Sequence, residues 1–465
     1  MKSKANIYPS LAGLCSMDRA TTANWSVEAS VDRLKRIHYV IKRLHEVFTA
    51  RITAEPIYEL KTAFSYHAYL CAEQVTLIRT RVSEMREPPL GLDKVPHPAL
   101  ERFMDEVCCS PSTDELVLGV YRVAVDAILQ SCQRIKNDAH PLVDAPTIRI
   151  AKLIEFEINE LADFAREPLE KLESSDQYSD WIDYLNSLLN AAGQLDGTGD
   201  PSQQIPPPRH SDTPFEYQSE PRRDERFQDS FNAGVNPEAF LYSDQYLPRD
   251  KTLMMYYKRI REIDVPEMMA SILVELKEDE PWAFHMEMSR QLWDEARHAM
   301  MGEVGFVAQG IDWHQIPINF TWSRNLNLQL SARERHGVLF FIEQGLMPKT
   351  GKKFEWEIAM DSGDELSALF QDFDWADEVL HTQIGRRWYV PKFESLSEAM
   401  DYGDKCWSQV VSHWKQYKDD GLTEHRNWWP EIYQQACTNW QVDPDPAALA
   451  FDESYEDSRA DLKKL

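Results

Sequence analysis

Apolar positions recur every three or four residues along most of this chain. That is the spacing of amphipathic helices, not the two-residue alternation of strands. Within 30–50, Leu34, His38, Ile41 and Leu44 share one stripe. The same spacing predicts a second long helix over 57–86, stopped by Pro88-Pro89, and others over 99–109, 113–136 and 146–173. The last opens on Asp144-Ala145-Pro146, an acidic cap followed by an early proline. Residues 1–192 therefore read as one all-helical region. Over 193–250 the periodicity fades into Pro, Gly, Ser and charge, the pattern of a linker or an arm wrapped on a surface. Phe215, Phe227, Phe231 and Phe240 give that arm apolar points at which to dock. Periodicity returns over 251–390, where four helices are expected at about 252–276, 281–310, 328–350 and 364–390. Residues 391–465 continue as helical pieces rich in tryptophan and end in a charged tail.

Composition narrows the class. At 465 residues, with 43% apolar and 11% aromatic residues, the chain has enough material for a sizeable core and more than one domain. Fifty basic against 77 acidic residues leave a net charge of −27, which disfavours nucleic acid and anionic membranes as partners. No apolar run is long enough to span a bilayer, and the N-terminus lacks a signal-peptide pattern, so a cytoplasmic protein is expected. Seven scattered cysteines without a Cys-x-x-Cys pair suggest neither a disulfide framework nor a zinc knuckle. With 17 glycines and no Gly-x-Gly-x-x-Gly, a dinucleotide-binding architecture is excluded. The tryptophans Trp407, Trp414, Trp428, Trp429 and Trp440 lack interleaved basic residues and read as packing, not base stacking.

Two segments carry candidate chemistry. Asp294-Glu295-Ala296-Arg297-His298 and Asp377-Glu378-Val379-Leu380-His381 each contain Glu-x-x-His. On a helix, positions three apart share a face, so each segment aims a carboxylate and an imidazole in one direction. One such pair is common by chance. Two pairs on two helices, joined by one glutamate from each of two more, form the pattern of bundles that hold two metal ions. A single acid does end the apolar run Gly337–Ile342, at Glu343, where burial is costly without a cation or a partner. Glu343 and Glu378 are centred on position 360.5, beside the turn-like Asp361-Ser362-Gly363-Asp364, as facing residues of a hairpin should be. The first helix offers two candidates. Glu262 and Glu295 are centred on 278.5, inside the polar Lys277–Glu280; Glu267 and Glu295 are centred on 281, already at Pro281. Symmetry prefers Glu262, but Pro266 either kinks the helix there or marks a helix start that excludes it, so Glu267 stays open. Four carboxylates and two imidazoles suit iron or manganese better than zinc, which takes fewer ligands.

These residues carry a resemblance. Pro281–His298 resembles the second helix of ferritin-like di-metal carboxylate proteins, and is most similar to a bacterial group related to the tRNA-hydroxylating di-iron monooxygenases. Asp377–Trp388 resembles that group's fourth helix, Ile342-Glu343-Gln344-Gly345-Leu346 its third and Arg261-Glu262-Ile263 its first. The resemblance implies a ferritin-like four-helix bundle over 251–390, preceded by a second all-helical region. It implies metal ligands at Glu262 (or Glu267), Glu295, His298, Glu343, Glu378 and His381. It also implies two iron ions, with manganese as an alternative in one position, and dioxygen as co-substrate. Pro141–Arg149 looks like a segment found beside this domain in the same group, and 1–192 reads as a decayed bundle that binds no metal. Where the tRNA hydroxylases carry a histidine before the first glutamate, this chain has Ile260-Arg261, which weakens transfer of their substrate.

The expected activity is therefore an oxygenase or oxidase acting on a small molecule. It would hydroxylate, N-oxygenate or desaturate its substrate with help from an external electron donor, and a homodimer is compatible with it. The alternatives are a metal-holding scaffold without turnover and an RNA-modifying hydroxylase. Arg297 and Arg387 are candidates to pair with ligand carboxylates. Asp294 or Asp377 is a candidate to accept a hydrogen bond from a ligand histidine. Trp293, Trp375, Trp388, Tyr256, Tyr257 and Tyr389 read as packing, and His285, His314 and His336 as structural or exposed.

Overall fold

The computed structural model describes residues 8–86, 91–173, 176–348, 351–410 and 414–454. The expected helix stop at Pro88-Pro89 and most of the charged tail lie outside them. The described chain is all-α, with helices from end to end and no strand. Its contacts group it into two units, 1–48 with 67–216 and 49–66 with 217–465. The arm divides at residue 216, and the tryptophan-rich C-terminal stretch belongs to the second unit.

The first unit draws on α1 (Val27–Ala54), α2 (Tyr58–Glu84), α3 (Pro98–Cys108), α4 (Val125–Asp138), α5 (Ala145–Glu173) and α6 (Ser179–Ala191), the first two being shared with the second unit. The α1 stripe Leu34, His38, Ile41 and Leu44 is fully buried, as its spacing requires. α4 packs on α5 and α3 on α6. The helix expected over 113–136 is interrupted by a widened π turn at Leu118–Ala124, which carries the buried Tyr121. The arm docks here through Glu106, whose carboxylate accepts the backbone N–H groups of Arg209 at 2.7 Å and His210 at 2.8 Å.

The second unit holds the candidate residues. Its main helices are α7 (Pro248–Arg261), α8 (Asp264–Glu275), α9 (Trp282–Ala308), α10 (Thr321–Gln329), α11 (Ala332–Gly345), α12 (Lys352–Ser362), α13 (Glu365–Trp388), α14 (Leu396–Val410) and α15 (Trp429–Trp440). Two expected helices are broken. The one expected over 252–276 ends at Arg261 and restarts at Asp264. Pro266 has no N–H to donate to the carbonyl of Glu262, and it sits in the first turn of α8, where that donor is not missed. The one expected over 328–350 is α11, preceded by α10 and followed by α12. α11 starts at Ser331 with a capping box, the Glu334 carboxylate accepting the Ser331 N–H at 2.8 Å. Gly363, in the left-handed conformation at φ 76°, ends α12; Asp364 then caps α13 by accepting the N–H groups of Leu366 and Ser367 at 3.0 and 3.1 Å.

α9 and α13 pack against each other. α7 and α8 lie on α9, while α11 and α12 lie on α13. The α7–α9 crossing is close because Gly302 and Gly305 face it. A Cβ at Gly302 would sit 2.2 Å from the backbone nitrogen of Ile260. Trp407, Trp428 and Trp429 are buried, consistent with packing. No described helix is long and apolar enough to cross a membrane.

Candidate metal centre

Six of the seven expected ligands converge. Glu295, Glu343, Glu378 and His381 bring one donor atom each within 4.8 Å of the others, from α9, α11 and α13. Beside them, Glu262, His298 and Asp374 form a second group, of three donors equally close to one another. His381 Nδ1 lies 3.1 Å from Glu295 Oε1, 3.6 Å from Glu378 Oε2 and 3.7 Å from Glu343 Oε1. His298 Nδ1 lies 3.5 Å from Glu262 Oε2, 3.5 Å from Asp374 Oδ1 and 3.6 Å from Glu295 Oε2. Glu295 thus belongs to both groups.

Each imidazole turns its other nitrogen outward. His381 Nε2 faces Asp294 Oδ2 at 3.4 Å, and His298 Nε2 faces Asp377 Oδ2 at 3.2 Å. Sequence spacing left open which aspartate holds a histidine. Both do, reciprocally across α9 and α13. Such contacts hold a proton on Nε2 and turn Nδ1 inward, the nitrogen that would serve as ligand once a cation displaced its proton. Arg297 ties the two aspartates together, meeting Asp294 and lying 2.8 Å from Asp377. Arg387, the other arginine expected here, is mostly exposed and pairs with Glu287.

Glu267 is elsewhere. It is fully buried but bonded to Lys61 Nζ at 2.9 Å, Arg223 Nη2 at 3.0 Å and Ser323 Oγ at 2.7 Å. Five residues beyond Glu262, it points roughly 140° away around a helix, and the break at Pro266 separates the two further. Burial opposes its charge, but the two cations outweigh that and hold its carboxyl down at about 2. Of the two first-helix candidates, Glu262 is the one the fold brings to the other candidate ligands.

Three residues of the cluster have no sequence motif to announce them. Asp374 lies one turn before Glu378 on α13. Arg259, one turn before Glu262, pairs with Asp374 and reaches Glu262 Oε1 at 2.9 Å. Lys352, at the start of α12, contacts Asp374 at 2.8 Å and Glu378 Oε1 at 2.9 Å. Both cations are fully buried. Arg259 had a weak signal, a basic residue at helical spacing from a candidate acid. Lys352 had none.

The electrostatics ask for positive charge. Burial penalises the imidazolium form, yet Asp374, Asp377 and Glu295 together push His298 up to about 10, and the carboxylates around His381 raise it well above its ordinary value. Burial and the neighbouring Glu378 raise Glu343 strongly. Glu262 Oε2, Glu295 Oε1, His298 Nδ1, Glu343 Oε2, Glu378 Oε2 and His381 Nδ1 are all buried and make no well-formed hydrogen bond. These are the inward atoms, one from each converging ligand. Unsatisfied buried polar atoms are rare in folded proteins, and six facing one another fit a bound cation. The donor chemistry, carboxylate and imidazole, is that of iron and manganese sites. No protein-family model, curated protein or solved structure matches the chain, so the functional reading stands on this geometry.

Proposed function

We propose that this protein is a di-metal carboxylate oxidoreductase, an oxygenase or oxidase that uses dioxygen to oxidise a small molecule. In this reading the four helices of a ferritin-like arrangement would be α7/α8, α9, α11/α12 and α13. The observation that carries the reading is the convergence of six side chains from these helices, whose inward donor atoms make no well-formed hydrogen bond. Glu262, Glu295, His298, Glu343, Glu378 and His381 would hold the ions, iron in both positions or manganese in one. Bound there, the pair supplies the capacity to reduce dioxygen and withdraw electrons from a substrate.

The chain's own contribution is positional. Asp294 and Asp377 fix both imidazoles and hold their Nε2 protons. Glu295 presents one oxygen toward each histidine. Burial of the cluster keeps bulk water from the donors, which strengthens each interaction with a cation. An external electron donor completes the cycle. The setting proposed is the cytoplasm, supported by seven cysteines of which no two are joined in a disulfide.

The test is elemental analysis of the purified protein, followed by oxygen uptake after anaerobic loading with Fe(II). Transition metal bound in stoichiometric amount and oxygen consumed on exposure to air, both lost in a Glu295→Ala, His381→Ala double variant, is the expected result. Protein that binds no transition metal under any loading condition rules the reading out.

A further inference from the structure

The two halves of the cluster are not equivalent, and the difference lies in two side chains that bring their own positive charge. In the half formed by Glu295, Glu343, Glu378 and His381, four inward donors meet neither Lys352 nor Arg259: Glu295 Oε1, Glu343 Oε2, Glu378 Oε2 and His381 Nδ1; Lys352 reaches this half only at Glu378 Oε1, at 2.9 Å. In the other half, both oxygens of Asp374 are taken by the Lys352 ammonium, at 2.9 and 2.8 Å, and Asp374 meets Arg259 as well. Glu262 has given Oε1 to Arg259. That half keeps only Glu262 Oε2, His298 Nδ1 and a share of Glu295.

Resting on the di-metal reading above, we propose that the two positions load unequally. The position of Glu295, Glu343, Glu378 and His381 takes the first divalent cation tightly. The position of Glu262 and His298 is held weak by Lys352 and Arg259, which supply fixed positive charge where the second ion would sit. Two reasons combine. The second position has fewer free donors. A divalent ion entering it also approaches two buried cations in a region where charge is poorly screened. A lysine or arginine that contacts ligand carboxylates there lowers affinity without touching the metal. The resting protein then carries one tightly held ion, and the second arrives only when metal is abundant or when the Lys352 contacts rearrange.

The experiment is a Mn2+ titration of the full-length protein. Free ion is counted by electron paramagnetic resonance, and bound metal is confirmed by elemental analysis after desalting. One equivalent retained per chain, followed by a second step at least about tenfold weaker, is expected. In Lys352→Met the second step should tighten until the two approach each other. Glu343→Gln should remove the tight step, and Glu262→Gln should leave it and remove the weak one. This last pair decides the matter on its own if the Lys352 variant does not fold. Two equivalents bound in one step of equal affinity, or loss of the tight step in Glu262→Gln, overturns the inequality while leaving the di-metal reading intact. No bound Mn2+ at all overturns the reading itself.

Discussion

Glu295 lies between the two histidines, its Oε1 3.1 Å from His381 Nδ1 and its Oε2 3.6 Å from His298 Nδ1. Among the described residues, no other carboxylate reaches both rings at that range through separate oxygens. Burial opposes its charge, yet the two histidines hold its carboxyl down at about 2. Glu295→Gln keeps the shape and removes the charge. It should weaken both steps of a Mn2+ titration, by tenfold or more, whereas Glu262→Gln should affect only the second. Unweakened steps in Glu295→Gln would contradict its place between the two.

Asp374 carries a structural load distinct from ligation. It is the shared partner of two buried cations, Lys352 and Arg259. Asp374→Ala leaves both charges buried with one carboxylate partner fewer, which should cost about 3–5 kcal/mol. Lys352→Met combined with Asp374→Leu should recover much of that loss, because replacing a buried ion pair by apolar groups of similar size is often neutral. Thermal unfolding of the three proteins measures this. Equal stability of Asp374→Ala and wild type would show that the cations find other partners.

Glu262 and Glu267 separate by assay. Glu267→Gln should destabilise the fold by a few kcal/mol, since it weakens the anchor of Lys61 and Arg223. Its metal stoichiometry should match wild type. A folded Glu267→Gln protein that loses metal would return that residue to the ligand set.

The glycines of α9 set the approach of α7. A Cβ at Gly305 would lie 2.1 Å from the Tyr256 ring, and one at Gly302 would meet the backbone of Ile260. Backbone cannot swing aside as a side chain can. Gly302→Ala should therefore cost at least about 1–3 kcal/mol in unfolding experiments and push Arg259 and Glu262 away from His298. Unchanged stability would mean that α7 shifts freely.

The first unit should be acid-sensitive. Burial depresses His67 to about 3, and the same cause, helped by Arg79, does so for His38. A histidine held neutral in the fold but free to charge near 6.5 when unfolded gives stability that is complete above pH 6.5. That stability is lost as pH falls toward the folded value, at about 1.4 kcal/mol per pH unit for each histidine. His67→Phe should flatten the fall in melting temperature between pH 6.5 and 5. The wild-type slope persisting in that variant would assign the sensitivity elsewhere. His67 Nδ1 also lies 2.8 Å from the Tyr121 hydroxyl, so the variant's baseline stability at pH 7 must be measured alongside.

Sequence alone determined the helical class, because apolar spacing is local and each helix carries its own period and caps. The paired Glu-x-x-His motifs were legible for the same reason: residues three apart share a face whatever surrounds them. Glu343 was legible as an acid at the end of an apolar run. Tertiary structure decided what depends on contact between distant segments. It placed Glu262, not Glu267, beside the histidines, since a break at Pro266 and a close crossing at Gly302 set that geometry. It set Asp294 against His381 and Asp377 against His298, a choice symmetric in sequence. It also brought in Asp374, Arg259 and Lys352. A buried lysine 22 residues before its aspartate has no local pattern to betray it, and its meaning arises only where the chain folds back on itself.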